Sequence, residues 1–472
     1  MTPDTTRTTL TASRPTRPAP ARVVAATRTL PTPGTTGLTP LSTGVSPTLA
    51  IDAEVRRRRG AGLPTVALGF GEASIPVLPE LVDQLRRYAD RAAYGPVGGI
   101  GELREAAAGY WTRRGIPAAA DRVIVGPGSK PLLFALLRSL GGAVALPKPC
   151  WVSYAAQLDL VGQDAEHVAT PAGEGGVPDP AVLDALAERR ARQGRPLRAV
   201  LLTLVDNPTG THARAETVRA LVEVARRHDL AVISDEIYRD LLHDPADSVL
   251  SPASLAPERT YVTTGLSKSL AVGGWRIGVM LVPDVAAARR VRDDVLTLGS
   301  EVWSAAALPV QYAAAWAFDE PAVVRERVRA SAALHGTMVR AVTAVFRSAG
   351  ASVAEPSGAF YLYPVFSAGR AVPAARGIRT GADLAGRLLA DHGVATLPGE
   401  AFGDDPERLA LRIAVPTVYG STPAQKQRAL ESDDPARLPW VAASLSRLGD
   451  ALGAVRGVLV AAGGNVVDAP DA

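Results

Sequence analysis

The sequence predicts an α/β fold: a large domain built on a mainly parallel sheet covered by helices, with a smaller α+β domain beside it. Three observations predict it. Short β-branched runs alternate with helical stretches through the middle of the chain, as strands joined by covering helices do. Each candidate strand leads into a polar cluster, and in open α/β sheets ligands gather beyond the carboxyl ends of strands. From about residue 325 the texture changes to a long helix followed by short apolar runs, which suggests a second unit folded against the first.

Residues 1–45 are rich in Thr, Pro and Arg, with Asp4 the only acid, a composition that buries little surface and predicts a disordered tail. An Arg-rich, acid-poor start also fits an organelle transit peptide, although the prolines oppose an amphipathic helix. Residues 46–80 are expected to pack with the small domain, and 81–325 to form the large one. Within it the strand candidates are DRVIV ending at Val125, AVLLTL ending at Leu204, LAVISD ending at Asp235 and TYVTT ending at Thr264. Residues 326–457 form the expected small domain, carrying ASVAE, GAFYLYPVF, a helix near Gly381 to Asp391, and LALRIAVP. Residues 458–472 read as a loose tail.

With 472 residues and 47% hydrophobic content, the chain can bury a large core and a smaller one. The net charge of +4 comes from arginines spread along the chain, so no basic stripe marks a nucleic-acid partner, and the proline-rich start supplies no helix-turn-helix extension. No apolar run is long enough to span a bilayer, and no secretory signal pattern opens the chain. The single cysteine, Cys150, excludes an intramolecular disulfide framework and fits a reducing compartment, so the expected location is the cytoplasm. The six histidines show no ligand spacing, so no metal site is expected.

The chemistry concentrates in a few segments. GLSKSLAVGGWRIG, Gly265 to Gly278, holds Lys268 among small residues with Arg276 eight residues on. A lysine held at one desolvated place can form a Schiff base with an aldehyde cofactor, and Arg276, Ser267 and the glycines offer donors for a phosphate. In GPGSKPL, Gly128, Ser129 and Lys130 stand at a helix start, whose free N–H groups suit a dianion; a plain strand-to-helix turn has the same look. Trp151 is either a stacking face for an aromatic cofactor or a core residue. Asn207 in VDNPTG offers an amide donor in a turn fixed by Pro208. Asp235 in SDEIY ends an apolar strand, where a carboxylate is costly without a cationic partner such as a protonated pyridine nitrogen. Tyr238, three residues on, is either a donor beside that ring or a buried core tyrosine. Arg412 in LALRIAVP needs an anion, whether a substrate carboxylate or a structural partner.

In this order, and with Gly71–Glu72 and the run Tyr94 to Arg104 preceding them, these segments resemble the class I/II aminotransferase family of fold-type I pyridoxal-phosphate (PLP) enzymes over roughly residues 45–450. The resemblance implies that Lys268 carries the cofactor, Asp235 pairs with its ring nitrogen, Asn207 and Tyr238 hold its 3′-oxygen, and Trp151 stacks on it. Gly128, Ser129, Lys130, Ser267 and Arg276 would surround the phosphate. Arg412, with Gly71 and Asn207, would take the substrate carboxylate. Tyr94 matches a tyrosine that reaches the phosphate of the neighbouring subunit, which implies a homodimer with shared sites. The implied reaction moves an amino group between an amino acid and a 2-oxo acid. The alternative is elimination, replacement or cyclisation at Cβ or Cγ of an amino acid such as S-adenosylmethionine or an arginine derivative.

Three positions depart from the family pattern. Leu204 and Val205 stand where Asn-Pro is frequent, Gly265 replaces a frequent phosphate-binding serine, and Glu301 and Trp303 occupy a segment that is often rich in Thr and Ser. Thr264 or Ser267 is expected to take over the work of the missing serine.

Overall fold

The computed structural model describes residues 44–366 and 377–460; most of the two expected tails therefore lies outside the described residues. The strands are β1 (Val66–Ala67), β2 (Val123–Gly126), β3 (Ala143–Lys148), β4 (Ala165–Ala169), β5 (Leu197–Thr203), β6 (Ala231–Asp235), β7 (Thr260–Gly265), β8 (Gly278–Leu281), β9 (Tyr361–Leu362), β10 (Val394–Ala395), β11 (Leu397–Pro398) and β12 (Leu411–Ala414).

Seven of them form one sheet in the order β2-β8-β7-β6-β5-β3-β4. Only β8 runs against its neighbours, so the sheet is mainly parallel, as expected. Strands β2, β7 and β8 are buried at every residue and β5 at all but Arg198, because helices cover both faces and leave no polar-out alternation. Three strands of this sheet escaped the sequence reading. β3 (AVALPK) is alanine-rich and carries Pro147, tolerated because pairing with β5 extends only as far as Ala145. β4 is a half-exposed edge strand of mixed polarity, and β8 is four residues long.

A second apolar core gathers residues from both ends of the described chain. Val66 and Leu68 pack there with Phe346, Phe360, Leu362, Leu411 and Val455. β1 pairs with β10, and β12 lies between β11 and β9 in a three-stranded sheet. The long helix expected from about residue 325 spans Ala322–Ser348. The helix expected near Gly381 spans Gly381–His392, opened by a Thr380–Asp383 capping box and closed by Gly393 at φ +68°. Among the described residues no helix is long and apolar enough to cross a membrane.

Candidate active site

The polar clusters converge. A cavity of about 430 Å³ is lined by Ser129, Lys130, Trp151, Asn207, Asp235, Tyr238, Ser267, Lys268, Arg276 and Arg412. Its floor comes from the carboxyl ends of β2, β5, β6 and β7, as open α/β sheets dictate. Its walls are Phe70, Gly71 and Glu72, then Tyr361, and Thr48 and Leu49 of the helix Pro47–Gly60.

Lys268 sits in the short helix Leu266–Ser269 that follows β7. Its Nζ donates to the Gly71 carbonyl at 2.6 Å. Burial lowers its pKa to about 8, with Arg412, Arg276 and Lys130 pushing the same way and Glu72 opposing. The amine thus gives up its proton far more readily than an ordinary lysine, as a nucleophile must.

Opposite stands Asp235, 2% exposed at the end of β6. Its carboxylate accepts from the Tyr154 hydroxyl at 2.8 Å and from Thr263 at 3.3 Å, and it makes no ion pair among the described residues. Burial raises its pKa to about 6 despite those bonds. A buried carboxylate held by neutral donors has room for one cationic partner, and a protonated ring nitrogen supplies it. Tyr154 also meets the Trp151 ring edge-on, with centroids 5.2 Å apart, which fixes the indole at the cavity wall.

The phosphate end depends on close backbone approach. Gly128 has φ +99°, and a Cβ there would overlap the Arg276 guanidinium. A Cβ on Gly278 would overlap the backbone of Gly128 and Ser129. Only glycines let β8 and the turn after β2 interlock so tightly. Arg276 itself takes the left-handed conformation at φ +54°, ψ +64°, which costs a non-glycine residue on the order of 1 kcal/mol. Gly265 explains its departure in the same way: a Cβ there would lie 2.8 Å from the Ile277 carbonyl, so a serine does not fit. Of the two candidate replacements, Ser267 lines the cavity, while the Thr264 hydroxyl is turned to the Glu236 carbonyl at 3.3 Å.

Arg412 is 1% exposed. Its Nη2 donates to the Gly69 carbonyl at 2.5 Å and its Nη1 to Asn207 Oδ1 at 3.4 Å, while Nε has no partner. None of Lys130, Lys268, Arg276 and Arg412 forms a salt bridge among the described residues, so four cations face one cavity without a carboxylate of their own. That excess suits a dianionic phosphate at one end and a carboxylate at the other. With the aspartate and the indole, it is the donor set PLP requires, and the residues fit the group.

Two sequence-predicted residues do not line the cavity: Gly128, which meets it only through Arg276, and Tyr94, which is 91% exposed. Glu301 is exposed, and Trp303 packs on Gly299. The Leu204–Val205 peptide is cis. The sequence reading missed Tyr361, Tyr154, Thr48 and Leu49. Tyr361 lay within the quoted GAFYLY run, but its aromatic neighbours there mark a core as readily as a site.

Comparison with known proteins agrees with this geometry. Residues 65–432 match the profile of the family described as aminotransferase class I and II. A probable aspartate/prephenate aminotransferase of Thermus aquaticus is 34% identical over 370 residues, covering 76% of this chain and 89% of that protein. The aspartate aminotransferase of Geobacillus stearothermophilus is 31% identical over 378 residues, covering 78% and 92%. Among solved structures, the Thermus thermophilus aspartate aminotransferase with maleate superposes with a TM-score of 0.70 at 29% identity, covering 82% of this chain and 96% of that one. The Rhizobium meliloti aspartate aminotransferase gives 0.70 at 28% identity, covering 87% and 100%. A lysine of lowered pKa, a buried aspartate without a counterion and an arginine clamp thus stand in a fold shared with these enzymes, and the chain belongs to the PLP-dependent class I and II aminotransferases.

Proposed function

We propose that this aminotransferase works at the Lys268 cavity and takes acidic amino acids and 2-oxo acids as its substrates. Bound PLP supplies an aldehyde carbon for the amine and a cationic ring that withdraws electrons from the substrate Cα. Asp235 would hold that ring in its cationic form, and the paired charge would lower again a carboxyl pKa that burial has raised. Asn207 and Tyr238 donate to the ring oxygen, and Trp151 covers one face. Gly128, Ser129, Ser267 and Arg276 seat the phosphate. Arg412 and the Gly71 backbone hold the α-carboxylate, and Lys268 carries the cofactor and moves the proton at Cα.

The observation that carries this reading is the pairing of Lys268, its pKa lowered to about 8, with an unpaired buried Asp235 across one cavity. Acidic substrates are favoured by the relatives' names and by Lys130. Its amine, 4.8 Å from the centre of the Trp151 ring and repelled by Arg276, remains once the phosphate and the α-carboxylate have drawn on the other cations. The relatives named above are all aminotransferases, which supports amino transfer over elimination or ring closure.

We further propose a division into residues 81–325 and 326–457, and a homodimer in which exposed Tyr94 reaches the neighbouring subunit's phosphate. The buried, solitary Cys150 supports a cytoplasmic setting. Borohydride treatment of the purified enzyme should leave reduced cofactor on the Lys268 peptide, and aspartate should consume 2-oxoglutarate one for one. Cofactor fixed to another peptide, or turnover without oxo-acid consumption, would refute the reading.

A further inference from the structure

We propose that Tyr361, whose ring lies beside the Arg412 guanidinium, is a positioning residue for Tyr238, its hydroxyl bonded to the Tyr238 hydroxyl at the wall of the Lys268 cavity. This rests on the reading of that cavity given above. Tyr361 is 1% exposed and lines the cavity. In the β9–β12 pair Ala414 lies directly opposite Tyr361. Alternation along a strand then puts Arg412, two residues from Ala414, on the face that Tyr361 occupies. The guanidinium carbon lies 5.0 Å from the Tyr361 ring centre, and its charge favours loss of the Tyr361 proton. The Tyr361 and Tyr238 oxygens are 2.8 Å apart.

The direction of these bonds follows from counting protons. A phenol has one proton to give. Beside the Arg412 charge, the single Tyr361 proton goes either to Tyr238 at 2.8 Å or to the Gly71 carbonyl at 3.5 Å. The longer contact is too stretched to compete. Tyr361 therefore donates to Tyr238, and the Tyr238 proton is left to point into the cavity, where the Lys268 Nζ lies 5.9 Å from its ring centre.

The local backbone is bent to allow this. Ala359 holds a left-handed φ of +54° just before Phe360 and Tyr361. A Cβ on Gly71 would overlap the Tyr361 hydroxyl, so the glycine leaves the space that oxygen uses. A core tyrosine pair needs neither feature. A phenylalanine at 361 would keep the contacts with Phe360 and Tyr238, at centroid distances of 4.6 and 5.5 Å, and would remove only the link.

The test compares holoenzymes carrying Tyr361→Phe, Tyr238→Phe and both. The readouts are the pH midpoint of the visible cofactor band, kcat/KM for aspartate, and the melting temperature. Tyr361→Phe should move the midpoint upward by about half a unit, because Tyr238 becomes a weaker donor, and lower kcat/KM roughly tenfold. In the Tyr238→Phe background the same change should have less than about a third of that effect on the midpoint, the non-additivity expected of linked residues. A lowered melting temperature with an unmoved midpoint would make Tyr361 a core residue and overturn the proposal, as would full additivity of the two changes. Borohydride labelling of Lys268 separates the two readings. If wild-type labelling fails, the site assignment falls and the proposal with it; if labelling is intact and the midpoint does not move, only the Tyr361 proposal falls.

Discussion

Lys268 illustrates how much a single buried amine depends on what surrounds it. In the cofactor-free protein its pKa is lowered to about 8, against an ordinary lysine value of 10.5. Below pH 8 folded and unfolded chains both hold the proton; between 8 and 10.5 only the unfolded chain does. Cofactor-free protein should therefore gain stability as pH rises through that window, and Lys268→Met should lack the gain. Urea titrations at pH 7.5 and 10 of both proteins check this. Lys130 invites a different test. Removing a charged hydrogen-bond donor from a carboxylate costs about 1.5–3 kcal/mol, so Lys130→Met should raise KM for aspartate at least tenfold relative to alanine. Were Lys130 a phosphate ligand alone, cofactor affinity would fall and the KM ratio would stay. Lys268, Asp235 and Arg412 were legible in the sequence because each is a polar group stranded in an apolar or glycine-rich run, and Asn207 because it sits in a turn fixed by Pro208. Tyr361 was not, since a tyrosine among Phe360, Leu362 and Tyr363 carries no such contrast.

At the scale of elements, the site follows from how tightly strands and turns approach. Gly128 opens the helix Ser129–Leu140 at a positive φ and faces the Arg276 guanidinium with no space for a side chain. Gly128→Ala combines a backbone penalty of about 1–3 kcal/mol, since φ +99°, ψ +161° is open almost only to glycine, with displacement of the arginine from the phosphate seat. PLP affinity, followed by fluorescence during dialysis, should fall at least tenfold while the enzyme stays folded. The strands that end in motifs were readable because apolar runs stop at a Gly or an Asp, as at Gly126 and Asp235. β3 and β4 were not, because alanine, proline and charged residues dilute the β-branched signal, and only pairing in the sheet supplies what their own propensity lacks. The Gly381–His392 helix was read nearly whole, since its end is written locally by Gly393.

For the whole molecule, the arrangement predicts sites completed between subunits. Tyr94 is 91% exposed on a single chain, an unusual position for an aromatic ring. Sedimentation should give twice the 49.1 kDa chain mass. Mixing inactive Lys268→Ala chains with weakened Tyr94→Ala chains should produce hybrids in which one site has both native residues, with activity above either parent. No gain on mixing would disprove shared sites. This level was the least legible, because a contact made only between chains leaves no periodic pattern in one of them.

The interlock of Gly128 with Gly278 carries an evolutionary corollary. A floor with no spare volume cannot drift by small steps, since one methyl group collides with backbone at Gly278 and with the Arg276 guanidinium at Gly128. New substrate preferences must then arise elsewhere, at the rim formed by Thr48, Leu49 and Phe70. Selection experiments that randomise those three positions should diversify the accepted acids while leaving cofactor retention untouched.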